Sequence, residues 1–168
     1  NNQNIFYKKI ILIYGVGKSG LSASKFLKKN NKVITYDDKI KNNIKKITTI
    51  NFDYIIISPG IDISKCKLSK FLKKNTKKIY TDLDIFYNHH KHNNKITITG
   101  TNGKSTTAKI LYEILKRQRV DVRLVGNIGN PILLEKKITN KTVFVIEASS
   151  YQLEYSKLFK SNISLILN

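Results

Sequence analysis

The sequence has little of what announces a function class by itself. It contains no methionine and a single cysteine, Cys66. One thiol excludes an internal disulfide framework and fits a reducing, cytoplasmic setting. No apolar run reaches the roughly 18 residues that a membrane-spanning helix requires, so membrane insertion is not expected. No signal-peptide pattern is read at the start, where polar residues pass straight into a strand-like run. The missing methionine, with an apolar run still in progress at Ile163 to Leu167, leads to the expectation that the chain is a piece of a longer protein.

Acids are also scarce. Lys and Arg number 31 against 11 Asp and Glu, a formal charge of +20. Such an excess first suggests a polyanionic partner. The bases are mostly Lys, however, and accompany many Asn and Ile, the three residues an AT-rich coding sequence favours. They are scattered in pairs such as Lys28-Lys29, Lys45-Lys46 and Lys73-Lys74. No aromatic stripe alternates with them, as a single-strand binder would need. The charge therefore reads as composition with a solvated surface, and no nucleic-acid partner is expected.

What is present is alternation. Short apolar runs rich in Ile, Val and Tyr alternate with amphipathic stretches, the pattern of βα units around a parallel sheet. Strands are expected at Ile10–Tyr14, Val33–Tyr36, Tyr54–Ser58, Ile79–Thr81, Ile96–Thr99, Val122–Val125, Val143–Ile146 and Ile163–Leu167. Several are apolar throughout, as strands covered on both faces should be. Helices are expected at Ser19–Lys29 and Ser105–Arg117. In the second, Ala108, Leu111, Ile114 and Leu115 share one face. Thr81 with Asp84 makes a capping pattern for a further short helical segment. The polar stretch Asn88 to Asn94 reads as a hydrophilic linker and the domain boundary. His89, His90 and His92 lie in it, but no Cys or carboxylate nearby completes a metal-ligand set.

Three motifs carry chemistry. Gly15-Val16-Gly17-Lys18-Ser19-Gly20 follows a strand and opens a helix. There the glycines permit a tight turn, and a helix N-terminus offers N–H groups to phosphates. The second strand ends in Asp37-Asp38, where a ribose-binding acid stands in a dinucleotide fold. Thr99-Gly100-Thr101-Asn102-Gly103-Lys104-Ser105-Thr106, again between strand and helix, resembles a phosphate-binding loop shorter than the common spacing. In such a loop backbone N–H groups cradle phosphates, a lysine neutralises them and a hydroxyl holds Mg²⁺. Val143 to Ile146 forms an apolar strand ending in Glu147, placed to serve a nucleotide-bound metal.

Together these pieces resemble the Mur ligases. The loop at 99–106 matches that family's short ATP loop. Gly126-Asn127-Ile128-Gly129-Asn130-Pro131 resembles its G-N-I-G-x-P element, and Ser58-Pro59-Gly60-Ile61 its S-P-G-I. Glu147-Ala148-Ser149-Ser150-Tyr151-Gln152-Leu153-Glu154 is close to a segment typical of the D-glutamate-adding member. The matches come in family order and cover nearly the whole chain.

The resemblance implies a fold and a function. A Rossmann-like, parallel-sheet α/β domain over residues 1–92 would bind the UDP substrate. The first part of a P-loop-type α/β ATP-binding central domain would follow over 93–168. It implies a monomeric cytoplasmic ligase, acting in peptidoglycan synthesis, that uses ATP and Mg²⁺ to join D-glutamate to UDP-N-acetylmuramoyl-L-alanine through an acyl phosphate. Gly100, Thr101, Asn102, Gly103, Lys104, Ser105 and Thr106 would wrap the ATP phosphates, with Lys104 and Glu147 catalytic. Ser105 and Glu147 would bind one Mg²⁺. Ser19, Asp37, Asp38, Lys39 and Gly60 would hold the uridine diphosphate, and Asn127, Ser149 and Gln152 the reacting end of the sugar nucleotide. No protein nucleophile is required by this chemistry. Family members carry further parts, including a third domain that grips the amino acid, so residues 1–168 alone are expected not to catalyse ligation. The alternatives are another Mur-type or folylpolyglutamate-type ligase and a nicotinamide-dependent dehydrogenase. The dehydrogenase leaves the lysine loop and Glu147 unexplained.

Overall fold

The computed structural model describes residues 4–40 and 44–168. Its first unit runs β1 (Ile10–Tyr14), α1 (Lys18–Leu27), β2 (Lys32–Tyr36), α2 (Ile44–Thr48), β3 (Tyr54–Ile57), α3 (Ser69–Lys74), β4 (Ile79–Tyr80) and α4 (Asp82–His89). The second runs β5 (Asn94–Gly100), α5 (Lys104–Arg117), β6 (Val122–Gly126), β7 (Val143–Glu147), α6 (Ser150–Tyr155) and β8 (Ile163–Leu167). Each unit holds one four-stranded sheet, ordered β2-β1-β3-β4 and β6-β7-β5-β8. Every strand pair is parallel. Parallel neighbours cannot be joined by tight hairpins, which is why helices and long connections separate the strands.

Burial follows the apolar runs. β1, β3 and β7 are buried over nearly their whole length, as both-face coverage demands. β8 departs from this pattern: Ile163 and Ile166 on it are exposed. On α5 the expected apolar face is split, with Ala108, Leu111 and Leu115 packed and Ile114 exposed beside Ile110. α4 lies between the two sheets. Its Leu83, Ile85 and Phe86 share one cluster with Ile11, Ile13 and Ile56 from the first sheet and Phe144 and Ile146 from the second. Phe86 meets Phe144 edge-on at 4.7 Å between ring centroids.

The polar stretch 88–94 leaves Lys91, His92 and Asn94 exposed, as expected of a hydrophilic connection, but it is tied into the fold at both ends. α4 continues to His89, whose ring lies 4.9 Å from that of Phe26, and His90 lies 5.1 Å from Phe86. Burial holds both imidazoles below their ordinary pKa. Lys95 is almost fully buried, and its ammonium donates to the carbonyls of His90, Lys91 and Asn93. The Asn93 amide donates to the carbonyls of Thr139 and Thr142 at 2.8 and 2.9 Å. These partners are backbone oxygens, which no side-chain pattern reveals. Among the described residues no group of three or more His, Cys, Asp or Glu stands where it could hold a metal. None of the described helices is long and apolar enough to cross a membrane.

Candidate functional site

β1 ends at Tyr14, and the chain turns through Gly15, at φ +93°, into α1. Gly20 is required for a different reason: a Cβ there would stand 1.8 Å from the carbonyl oxygen of Gly15. Turn and helix therefore press together at a distance that no side chain permits. No side chain caps α1, so its first-turn N–H groups stay open to a ligand. Ser58 donates to the Gly15 carbonyl at 2.8 Å and ties the Ser58-Pro59-Gly60-Ile61 loop to the glycine turn.

These loops form one wall of a cavity of about 500 Å³, and Gly126, Asn127, Gly129 and Pro131 of the second unit form the other. Of the expected substrate residues, Ser19, Asp37, Asp38, Lys39, Gly60 and Asn127 line it. So do Lys18 and Ser58, which sequence reasoning did not single out. Both belong to quoted motifs, and that was the available signal.

Asp37 and Asp38 stand at the cavity but are already engaged. Asp37 accepts from the N–H groups of Val16 and Lys39, both at 2.9 Å, and these donors hold its carboxyl below the usual range. Asp38 accepts from the Tyr14 hydroxyl at 2.7 Å and from the N–H of Lys67 at 3.1 Å. The carboxylates thus brace the loops around the cavity.

The lysine loop closes the top of β5. Gly100 has φ +136°, and a Cβ there would lie 2.0 Å from the Leu167 carbonyl, so β8 fixes that position as glycine. Gly103, left-handed at φ +78°, caps α5 with no side-chain help. The Lys104 ammonium folds back onto the carbonyls of Gly100 at 2.6 Å and Thr101 at 3.0 Å. Ser105 donates to the Glu147 carboxylate at 2.7 Å. Glu147 is 5% exposed and sits at the tip of β7, the strand beside β5. A hydroxyl and a carboxylate at this spacing are hard oxygen ligands of the kind Mg²⁺ takes. The two loci join at one residue: Asn127 lines the cavity while its N–H bonds the Glu147 carbonyl at 3.0 Å. Thr101, Asn102 and Thr106 complete the loop, and the Asn102 N–H bonds the Asn168 carbonyl at 2.9 Å.

Ser149 and Gln152 do not line the cavity. Ser149 caps α6, accepting from the Gln152 N–H at 3.2 Å. Gln152 is buried and donates through Nε2 to Asp82 at 2.6 Å, a contact with the first unit. In this arrangement it faces a helix and no open groove.

Residues 98–168 match the Mur ligase middle domain. A UDP-N-acetylmuramoylalanine–D-glutamate ligase of Caldicellulosiruptor bescii is 38% identical over 180 residues, covering 95% of this chain and 39% of that protein. The ligase of the same name from Rickettsia bellii is 36% identical, covering 98% of this chain and 39% of its own length. The chain therefore spans about two fifths of the length of these curated relatives. It belongs to the Mur ligase family.

Proposed function

We propose that this chain forms the sugar-nucleotide and ATP-phosphate walls of a monomeric cytoplasmic ligase that joins D-glutamate to UDP-N-acetylmuramoyl-L-alanine. One juxtaposition carries this: the Asn127–Glu147 backbone bond brings the cavity and the Ser105–Glu147 pair together. A substrate lying in the cavity would then present its reacting end to the lysine loop. The names of the relatives support the choice of substrate, and the boundary would fall between α4 and β5, giving units of 1–92 and 93–168.

The loop residues fit ATP and Mg²⁺. An uncapped helix N-terminus, a lysine and a hydroxyl–carboxylate pair match the negative and hard-cation parts of such a ligand. ATP would supply the phosphoryl group that activates the L-alanine carboxylate, with Mg²⁺ offsetting its charge. Lys104 would exchange its loop carbonyls for phosphate oxygens, while Ser105 and Glu147 hold the cation between them. Ser19, Lys39 and Gly60 would meet the uridine diphosphate. Asp37 and Asp38 act by holding the surrounding loops, and Ser149 and Gln152 by placing α6 behind Glu147.

Calorimetric titration with UDP-N-acetylmuramoyl-L-alanine, and separately with NADH, tests the proposal. The sugar nucleotide is expected to bind, and Ser19→Ala to weaken it about tenfold, the effect of losing a hydrogen bond to a charged group. Binding of NADH without the sugar nucleotide would overturn it.

A further inference from the structure

The seam between the two units holds a carboxylate that neither the cavity nor the lysine loop uses. Asp84, in the first turn of α4, is 0% exposed. One of its oxygens accepts three consecutive backbone N–H groups from the second unit, those of Lys157, Leu158 and Phe159, at 2.9, 2.7 and 3.1 Å. The other accepts the N–H of Thr81 at 2.9 Å and closes the capping box of α4. Three successive N–H groups converging on one point make an anion-binding nest, here filled by the protein's own side chain.

The surrounding ties run the same way. The Thr81 hydroxyl meets the Ser156 hydroxyl at 2.7 Å, and Lys157 donates to the Thr76 carbonyl at 2.6 Å. The segment that Asp84 grips follows α6 directly, and α6 follows the tip of β7 that carries Glu147. α4 also packs against α1 and the short helical turn Ile132–Leu134, which leads back to the Pro131 wall of the cavity.

We infer that Asp84 is a positioning residue: by gripping the 157–159 backbone from α4 it fixes the spacing of the two cavity walls. An apolar seam alone would allow sliding, because hydrophobic contact is non-directional. A nest of N–H groups around one carboxylate accepts only one placement. This role of Asp84 belongs to the packing of the chain and does not depend on the proposed ligase function.

The test is a distance measurement across the two units. Spin labels at Lys28→Cys and Lys116→Cys, in a Cys66→Ser background, report the spacing by double electron–electron resonance. The parent is expected to give one narrow distance. Asp84→Ala leaves the nest empty, and Asp84→Asn keeps one acceptor oxygen but turns an amide toward N–H donors. Both are expected to add a second, broader distance population, with faster hydrogen exchange at Lys157, Leu158 and Phe159. Leu72→Ala, a core truncation within the first unit, should lower stability and leave the distance narrow. A single unchanged distance in Asp84→Asn, or equal broadening in Leu72→Ala, overturns the inference. So does complete unfolding of Asp84→Asn, since the residue would then serve folding and not placement.

Discussion

Asp82 offers a prediction in which a single substitution should make the protein more stable at one pH and not at another. Its carboxyl opens α4, almost fully buried, with the Gln152 amide as its side-chain partner at 2.6 Å. Burial pushes its pKa up from 3.8 to about 6; the Gln152 bond and the N–H groups of Leu83 and Asp82 oppose this, and the charge of Asp84 adds to it. A raised acid contributes stability that is fully present below the unfolded pKa and lost as pH rises through the folded one. The gap between 3.8 and about 6 corresponds, at about 1.4 kcal/mol per pH unit, to about 3 kcal/mol lost at neutral pH. Gln152 Oε1 is meanwhile buried with no hydrogen-bond partner. Asp82→Asn removes the charge and supplies an amide N–H that can reach that oxygen, while its own oxygen keeps the Gln152 donor. The substitution should therefore be near neutral below about pH 4, become stabilising between pH 4 and 6, and level off at up to about 3 kcal/mol. Urea unfolding of both proteins across this range reads the difference as a shift in midpoint at constant slope. A variant less stable than the parent at pH 7.5, or a difference independent of pH, would refute the reasoning.

Three further outcomes follow from the geometry. Ser105→Ala and Glu147→Gln should each weaken Mg²⁺-dependent ATP binding by about tenfold or more, as loss of a charged ligand contact does, with unfolding midpoints nearly unchanged; calorimetry with and without Mg²⁺ checks this. Gly20→Ala should destabilise by about 3 kcal/mol or more, because its Cβ would meet the Gly15 carbonyl at 1.8 Å, whereas Gly60→Ala, with nothing within 4 Å, should fold normally; thermal unfolding of the pair decides. With a formal charge of +20, adding salt from about 0.02 to 0.3 M should raise the midpoint by screening self-repulsion, and a flat or falling midpoint would contradict it.

The strands were legible because β-branched apolar runs between turn residues carry their own signal, and all eight expected strands appear with ends shifted by at most two residues. The short helices at Ile44–Thr48, Ser69–Lys74 and Ser150–Tyr155 were not read, because five or six residues hold too few turns for an amphipathic period. The lysine loop and Glu147 were legible as motifs. The side chain of Gln152 was not, because a motif marks a polar residue without saying which way it faces. Its partner Asp82 lies 70 residues earlier in the chain. Within the stretch 88–94 the buried Asn93 was not distinguishable from its exposed neighbours for a related reason. Polar residues that bond buried carbonyls have the same composition as polar residues that bond water.

The scarcity of acids itself helps to separate structure from function. A lone surface ion pair contributes only about 0 to 1 kcal/mol, while a carboxylate on backbone N–H groups contributes more, so few acids do most when placed on backbone donors. Asp37, Asp38, Asp53, Asp62 and Asp84 all accept backbone N–H groups at turns, strand starts or caps. Asp121 and Glu135 share Arg123, and Glu113 and Glu154 are exposed. Asp82 faces an amide and binds a proton more tightly than an ordinary acid. Glu147 fits none of these uses. It is nearly buried, and its one side-chain partner is the Ser105 hydroxyl, beside a lysine that is held by carbonyls alone. A divalent cation shared with Ser105 would fit this carboxylate, as the proposed function requires. The other acids are bound within the fold or exposed, so Glu147 is the buried acid that best fits the proposed cation site.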